Sequence, residues 1–219
     1  MACSATRERI RPQENPDYFS PAERALLQSG EADAPLEVVR DSDAASIEFL
    51  RQKAQPLSTS DPLLPLLLSR MRVTVELEQG VGIAAPQVGI SRQVIWVLRL
   101  DKTPDMPFEA YVNPQIIALS EENLTDWEGC LSVTAGFGKV TRPVGITVKY
   151  LTADGHEREE NVSGFTARIF QHEIDHLNGV LFIDRMNAGD ALMPKEEFRA
   201  MRLREKAEKD AQQNPPTDE

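Results

Sequence analysis

A chain of 219 residues with a 41% hydrophobic share can bury the core of one ordinary domain, with an appendage at either end. Its formal charge of −11 argues against a protein that coats nucleic acid over a broad surface, so no DNA partner is expected. No apolar run approaches the ~20 residues that cross a bilayer, the N-terminus has no apolar signal core, and two cysteines build no disulfide framework; a cytoplasmic protein with no membrane partner is the expectation.

Residues 1–35 are polar and punctuated by proline. They read as an extension, partly ordered at most, that is packed on or loosely attached to a domain beginning near Leu36. Within it Ser20, Pro21 and Glu23 form the capping pattern of one short helix, and Cys3 falls in an end expected to fray. Leu36–Arg40 then reads as a strand and Asp43–Leu50 as a short helix. Asp61 and Pro62 look like the cap and first position of a longer helix. Its Leu64, Leu67, Leu68, Met71 and Val75 recur at helical spacing, which fits core packing, and it ends near Gln79 and Gly80.

Gly80–Gly89 alternates small and apolar residues around a single amide, Gln87. It lacks the endings of phosphate-binding and dinucleotide-binding loops. A tight turn beside a buried strand and a strand lining a substrate remain equally open for it. Arg92–Arg99 reads as a buried strand, and Tyr111–Leu119 as another, interrupted at Asn113-Pro114. An acidic loop leads to Trp127–Ser132. Val144–Tyr150 alternates as a strand, and Asp154-Gly155 signals a hairpin into Glu157–Val162. Gly164–Leu177 reads as a helix stopped by Asn178-Gly179, with Val180–Ile183 as a last short strand. From residue 191 a charged helix, Lys195–Lys209, runs into Asn214–Glu219, whose composition predicts disorder. Residues 36–190 are therefore expected to form the main domain. Strands first and the chemistry-bearing helix last, without a repeating strand–helix unit, favour an α+β fold in which mainly antiparallel sheet surrounds one central helix.

That helix carries His172-Glu173-Ile174-Asp175-His176. One helical turn separates the two imidazoles, so they can share a metal ion, with Glu173 beside them as proton shuttle. A third ligand is needed. Cys130 is the one ligand-grade sulfur expected in the core. A buried structural thiol is the ordinary role of an isolated cysteine. Here Glu128 and Ser132 set polar groups on either side, and Gly129 removes bulk where a metal or substrate would approach. One Cys and two His leave a fourth position open, the layout of a catalytic metal. His156 sits in a turn and is expected in solvent.

Three segments resemble the signature motifs of the peptide deformylases: Gly80–Gln87, Glu128–Ser132 and Gln171–Gly179, in the family's order and approximate spacing. The similarity spans about Leu36 to Asp184. The resemblance implies hydrolysis of the N-formyl group from the initiator methionine of nascent chains. It also implies Fe²⁺ as the physiological metal, with Zn²⁺, Ni²⁺ or Co²⁺ as substitutes. It casts Gln87 and the backbone N–H of Leu131 as oxyanion donors. Val81 and Gly82 would pair with an extended peptide, while Gly129, Leu131, Arg168 and Ile169 line the substrate. Glu128 and Arg142 would be a charge pair bracing the metal loop. The chain departs from the family pattern after the second motif, where Val133–Val140 lacks the usual Ile/Val-Pro-Glu and carries Gly136 and Gly138, with Phe137 about where some members place a polar or basic residue; altered loop shape or selectivity is expected there.

Two other readings compete. A zinc peptidase would take a third ligand downstream of the motif, with Asp184 as a candidate. A metal-stabilised binding protein would have no use for Glu173 or Gln87. On the C-terminal helix, Arg199, Arg202, Arg204 and Lys206 form either a solvated face or, by the same resemblance, a ribosome-docking face.

Overall fold

The computed structural model describes residues 15–213. The expectations for Cys3 and for the tail 214–219 lie outside these residues. Two antiparallel sheets and one buried helix organise the molecule. The five-stranded sheet runs β1 (Gly82–Ala84), β2 (Val94–Leu98), β3 (Phe108–Leu119), β6 (Gly145–Leu151) and β7 (Glu157–Ser163), side by side in that order. A second sheet is the hairpin of β4 (Asn123–Glu128) and β5 (Gly138–Pro143). The helix α4 (Gly164–Leu177) packs against β1, β2 and β7 on one side and reaches β5 on the other.

α4 starts and stops for legible reasons. Gly164 enters it at φ +65°, and Gly179 leaves it at φ +71°. A Cβ on Gly179 would also lie 2.2 Å from the Arg51 carbonyl oxygen, so only glycine fits that exit. Ala167, Ile169, Phe170, Ile174 and Leu177 form a core with Ile95, Val97, Tyr111 and Val148. Yet Arg168, Glu173, Asp175 and His176 are buried on the same helix. Burying four ionisable groups on one helix is costly unless they are paired or used.

Two short helices and two longer ones complete the described α-helices: α1 (Pro21–Leu27), α2 (Ala44–Leu50), α3 (Leu64–Leu77) and α5 (Lys195–Gln213). α1 has the anticipated reciprocal cap, with the Glu23 N–H donating to Ser20 Oγ and the Ser20 N–H to the Glu23 carboxylate. Residues 15–35 are packed on the domain. Phe19 and Leu27 join the core around α3, and Arg70 donates to the carbonyls of Leu27, Ser29 and Ala34.

Several local expectations need correction. Leu36–Arg40 is extended but joins no sheet: the Leu36 N–H donates to Thr74 Oγ1 and the Val39 N–H to the Gln87 carbonyl. Val180–Ile183 is not a strand either; Phe182–Arg185 forms a 3-10 turn closed by the Asp184 carboxylate on the Leu181 N–H. Asp61 does not cap α3. It accepts from the Phe19 and Leu63 N–H groups and from Arg24, while the helix starts at Leu64 with Pro65 in its first turn. The acidic loop is confined to residues 120–122, and β4 already begins at Asn123, so the strand reaches Trp127 from further back than expected. The break in β3 is a shift of register between Val112 and Gln115, where Asn113 takes φ +51° and its side-chain amide bonds both backbone groups of Leu57.

Candidate metal centre and active site

Cys130 leaves the end of β4, and α4 brings His172 and His176 to meet it. The ligand atoms of all three lie within 4.8 Å of one another. Cys130 Sγ is 3.2 Å from His176 Nε2 and accepts the Ser132 N–H at 3.3 Å. Burial alone would raise the thiol's pKa, but His176 and His172 beside it overcome that and hold it well below the ordinary value. A thiolate and two imidazoles are donors that suit a first-row divalent ion, and three of them leave a position free. The residues fit the group the resemblance implies.

Glu128 organises the support. Its carboxylate lies 3.0 Å from His172 Nδ1, a contact that, with a proton on Nδ1, would turn Nε2 of that ring toward a metal as the ligating nitrogen. Arg142 donates to it twice, Nε at 2.6 Å and Nη2 at 2.9 Å, and Arg168 donates at 2.7 Å. Burial pushes the Glu128 pKa up; His172 and Arg142 more than reverse this, and the group stays ionised. Arg142 also reaches Asp175 Oδ2 at 2.8 Å, and Arg185 donates to both oxygens of that carboxylate. β5 makes this possible by alternation, since Gly138, Val140 and Arg142 face inward while Lys139 and Thr141 face out.

Glu173 lies on the opposite flank. Burial lifts its carboxyl to about 7, with His172 and His176 pulling the other way, and its Oε2 has no partner among the described residues. It fits there because of Gly82, where a Cβ would lie 2.6 Å from Glu173 Oε1. Gln87 sits in a 3-10 turn after β1. Its Oε1 accepts the Ala84 N–H at 2.8 Å, which fixes the amide's orientation and points Nε2 at Cys130 Sγ (3.5 Å) and Ser132 Oγ (3.3 Å). The Leu131 N–H has no acceptor among the described residues. Val81, Gly82, Leu131 and Ile169 line one cavity of about 800 Å³ together with Cys130 and Glu173. β1 is an edge strand, so its outer side is open to an added chain.

Two of the residues expected on the substrate border the cavity and also have structural partners. Arg168 is buried and donates to Glu128, to the Val140 carbonyl and to the Leu124 carbonyl. It braces the metal loop. Gly129 borders the cavity, but a Cβ there would lie 2.4 Å from the Phe137 ring, so its missing side chain accommodates Phe137 directly. Asp184, a third-ligand candidate under the peptidase reading, is held by Arg51 and the Leu181 N–H. His156 is exposed, as its turn position suggested. Sequence reasoning missed Asp175 and Arg185 as supports and named Ser132 only as a polar neighbour of Cys130. Asp175 lay inside the motif, and its position one turn beyond Gln171 was the available signal. It also missed that α5 borders the cavity through Lys195, Phe198, Arg199 and Arg202.

An α+β scaffold presenting a Cys-His-His cluster beside a buried glutamate has the layout of a metal-dependent hydrolase. The polypeptide deformylase family model matches residues 35–191. The peptide deformylase of Chlorobium luteolum is 43% identical over 155 residues, covering 70% of this chain and 81% of that one. That of Synechocystis is 41% identical over 154 residues, covering 69% and 82%. Among solved structures, the class I type b peptide deformylase of Acinetobacter baumannii with Met-Ala-Ser bound superposes with a TM-score of 0.63 at 40% identity, covering 70% of this chain and 99% of that one. The Thermotoga maritima enzyme gives 0.63 at 37% identity, covering 70% and 98%. This chain belongs to the peptide deformylase family. It is a hydrolase of protein biosynthesis that removes the N-formyl group from nascent polypeptides. No helix among the described residues is long and apolar enough to cross a membrane.

Proposed function

We propose that Cys130, His172 and His176 hold one divalent ion, Fe²⁺ in the cell and Zn²⁺, Ni²⁺ or Co²⁺ as substitutes, and that Glu173 is the proton carrier of deformylation. When bound, the ion supplies a Lewis acid that polarises the formyl carbonyl and makes water easier to deprotonate. Glu173 accepts the proton as water oxygen bonds to the formyl carbon. It returns that proton to the methionine nitrogen as the C–N bond breaks, so one water is consumed and formate and a free amine leave. Gln87 Nε2 and the Leu131 N–H donate to the oxygen that gains charge. Val81 and Gly82 hold the peptide backbone along the edge of β1, with Leu131 and Ile169 against the methionine side chain. Glu128, Arg142 and Arg168 keep His172 in its ligating tautomer.

The observation that carries this assignment is Glu173. It is a buried carboxyl raised to about 7, beside a thiolate–imidazole cluster, at the point where Gly82 opens the strand edge. Mere metal storage has no use for it. The test is formate release from formyl-Met-Ala-Ser by protein loaded anaerobically with Fe²⁺ or Ni²⁺. Glu173→Ala should hold one ion per chain yet release formate at a rate lower by at least about 10²-fold. Equal rates in the two proteins would sink the assignment.

The reaction belongs in the cytoplasm, where nascent chains emerge. Of the cations on α5, Arg204 and Lys206 do not border the cavity, and we assign them to ribosome contact. Replacing both with glutamate should reduce co-sedimentation with ribosomes at low salt; unchanged co-sedimentation would refute that contact.

A further inference from the structure

The segment that departs from the family pattern and the helix that follows the catalytic unit explain each other. The Phe137 N–H donates to the Met193 carbonyl at 2.9 Å, and the Met193 N–H returns to Phe137 at 2.7 Å. This two-way bridge demands glycine next door, since Gly136 takes φ +147° and a Cβ there would lie 2.1 Å from the Met193 oxygen. The Phe137 ring stacks on Phe198 with centroids 3.9 Å apart and planes at 11°, and Trp127 meets Phe198 edge-on at 5.6 Å. Gly129 gives Phe137 its space. The Gly136–Gly138 stretch is thus a seat that fixes the start of α5 beside the catalytic cleft.

What α5 brings to the cleft is positive charge. Lys195, Arg199 and Arg202 follow i, i+4, i+7 spacing, so they share one face of the helix, and all three border the cavity that holds Cys130 and Glu173. Arg202 is engaged by Glu205 at 2.7 Å. Lys195 and Arg199 form no ion pair among the described residues. Of the acids bordering the same cavity, Glu78 pairs with Arg40 and Glu128 with Arg142 and Arg168, Glu173 is buried, and Asp126 accepts the Trp127 N–H without an ion pair. Glu196 alone of these is exposed and has no ion-pair partner among the described residues. A protein of net charge −11 that sets two unpaired cations over its substrate cleft has a specific use for them.

We infer that α5 is a wall of the substrate cleft, and that Lys195 and Arg199 select formylated peptides with an acidic side chain within the first few residues after methionine. The inference rests on the deformylase reading and adds a substrate preference to it. An extended peptide paired with β1 leaves the metal cluster and runs out through the cavity mouth, where these two side chains stand in solvent. Contacts made there are equally good before and during the reaction, so the preference acts through KM.

The test compares metal-loaded protein on three C-terminally amidated peptides, formyl-Met-Ala-Ser, formyl-Met-Ala-Glu and formyl-Met-Ala-Lys, and on their counterparts with one more alanine before the variable residue. At low salt the kcat/KM ratio of the glutamate to the lysine peptide should be about five- to tenfold in one of the two series, from two exposed ion pairs. It should sit in KM and shrink toward one at 0.5 M salt. In Lys195→Glu/Arg199→Glu the ratio should invert, each value being normalised to the serine peptide on the same variant. Phe198→Ala, which loosens the seat without touching charge, should flatten the ratio. A wild-type ratio below twofold in both series, or one that survives the double reversal, overturns the inference while leaving deformylation intact. Absence of formate from every peptide overturns the deformylase reading itself, and the inference with it.

Discussion

Arg142 is the residue at which stability and metal binding should fail together. It is buried, and it makes three charged hydrogen bonds: two to Glu128 at 2.6 and 2.9 Å and one to Asp175 at 2.8 Å. Arg142→Met keeps most of the side-chain volume and removes the charge. Breaking a buried ion pair by deleting one partner costs about 3–5 kcal/mol, because the remaining charge stays desolvated. Neither carboxylate is wholly abandoned here. Arg168 and His172 still hold Glu128, and Arg185 still holds Asp175. The loss should therefore fall at the low end, about 3 kcal/mol. For a chain of this size that is a drop of about 1–2 M in the urea midpoint. Because Glu128 orients His172, metal affinity should fall by about 10–100-fold as well.

Arg185→Ala is the matched control. Its bond to Asp175, at 2.5 Å, is shorter than any that Arg142 makes, but the Arg185 side chain is 46% exposed. If burial rather than bond length decides the cost, this variant should lose less than about 1 kcal/mol. Urea unfolding of both variants at pH 7, with competitive chelation for the metal, reads all of these quantities. An Arg142→Met midpoint within experimental error of the parent, or an Arg185→Ala loss as large as that of Arg142→Met, would refute the reasoning.

Gln87→Ala removes a donor whose orientation the Ala84 N–H fixes, so kcat for formate release should fall about 10²–10³-fold while metal content holds; a loss below tenfold would remove Gln87 from the oxyanion site. Acid should unfold the protein through its depressed carboxyls. Asp101, hydrogen-bonded by Arg99, and Glu128, which His172 and Arg142 hold down against the upward push of burial, have folded pKa values below their unfolded ones. Their contribution is complete above the unfolded carboxylate range of about 4 and is lost as pH falls from there through the folded values. The urea midpoint should therefore drop between pH 5 and pH 3.5, and a midpoint that is flat over that interval would count against both pairs.

What could be read without coordinates follows from how each residue works. Cys130, His172, His176 and Glu173 act through chemistry that few side chains share, and helical spacing alone puts the imidazoles on one face, so type and spacing were enough to nominate them. The ends of α4 were equally legible, because Gly164 and Gly179 are demanded by local backbone angles. The supporting role of Arg168 was hidden for the opposite reason. An arginine beside a cleft can face substrate or protein, and what decides it is the register of the β4–β5 hairpin, which pairs Leu124 with Arg142 and so lays both the Leu124 carbonyl and Glu128 within Arg168's reach. Val180–Ile183 failed because four apolar residues look alike as strand or turn; the Asp184 carboxylate on the Leu181 N–H settles it, a contact that composition does not encode. The same distinction explains Gly136. Its identity signalled an unusual backbone, but the reason, a carbonyl of Met193 arriving from more than fifty residues later in the chain, exists only once α5 is seated. Chemistry-bearing residues advertise themselves in sequence, whereas the residues that hold them still are defined by partners that only the fold supplies.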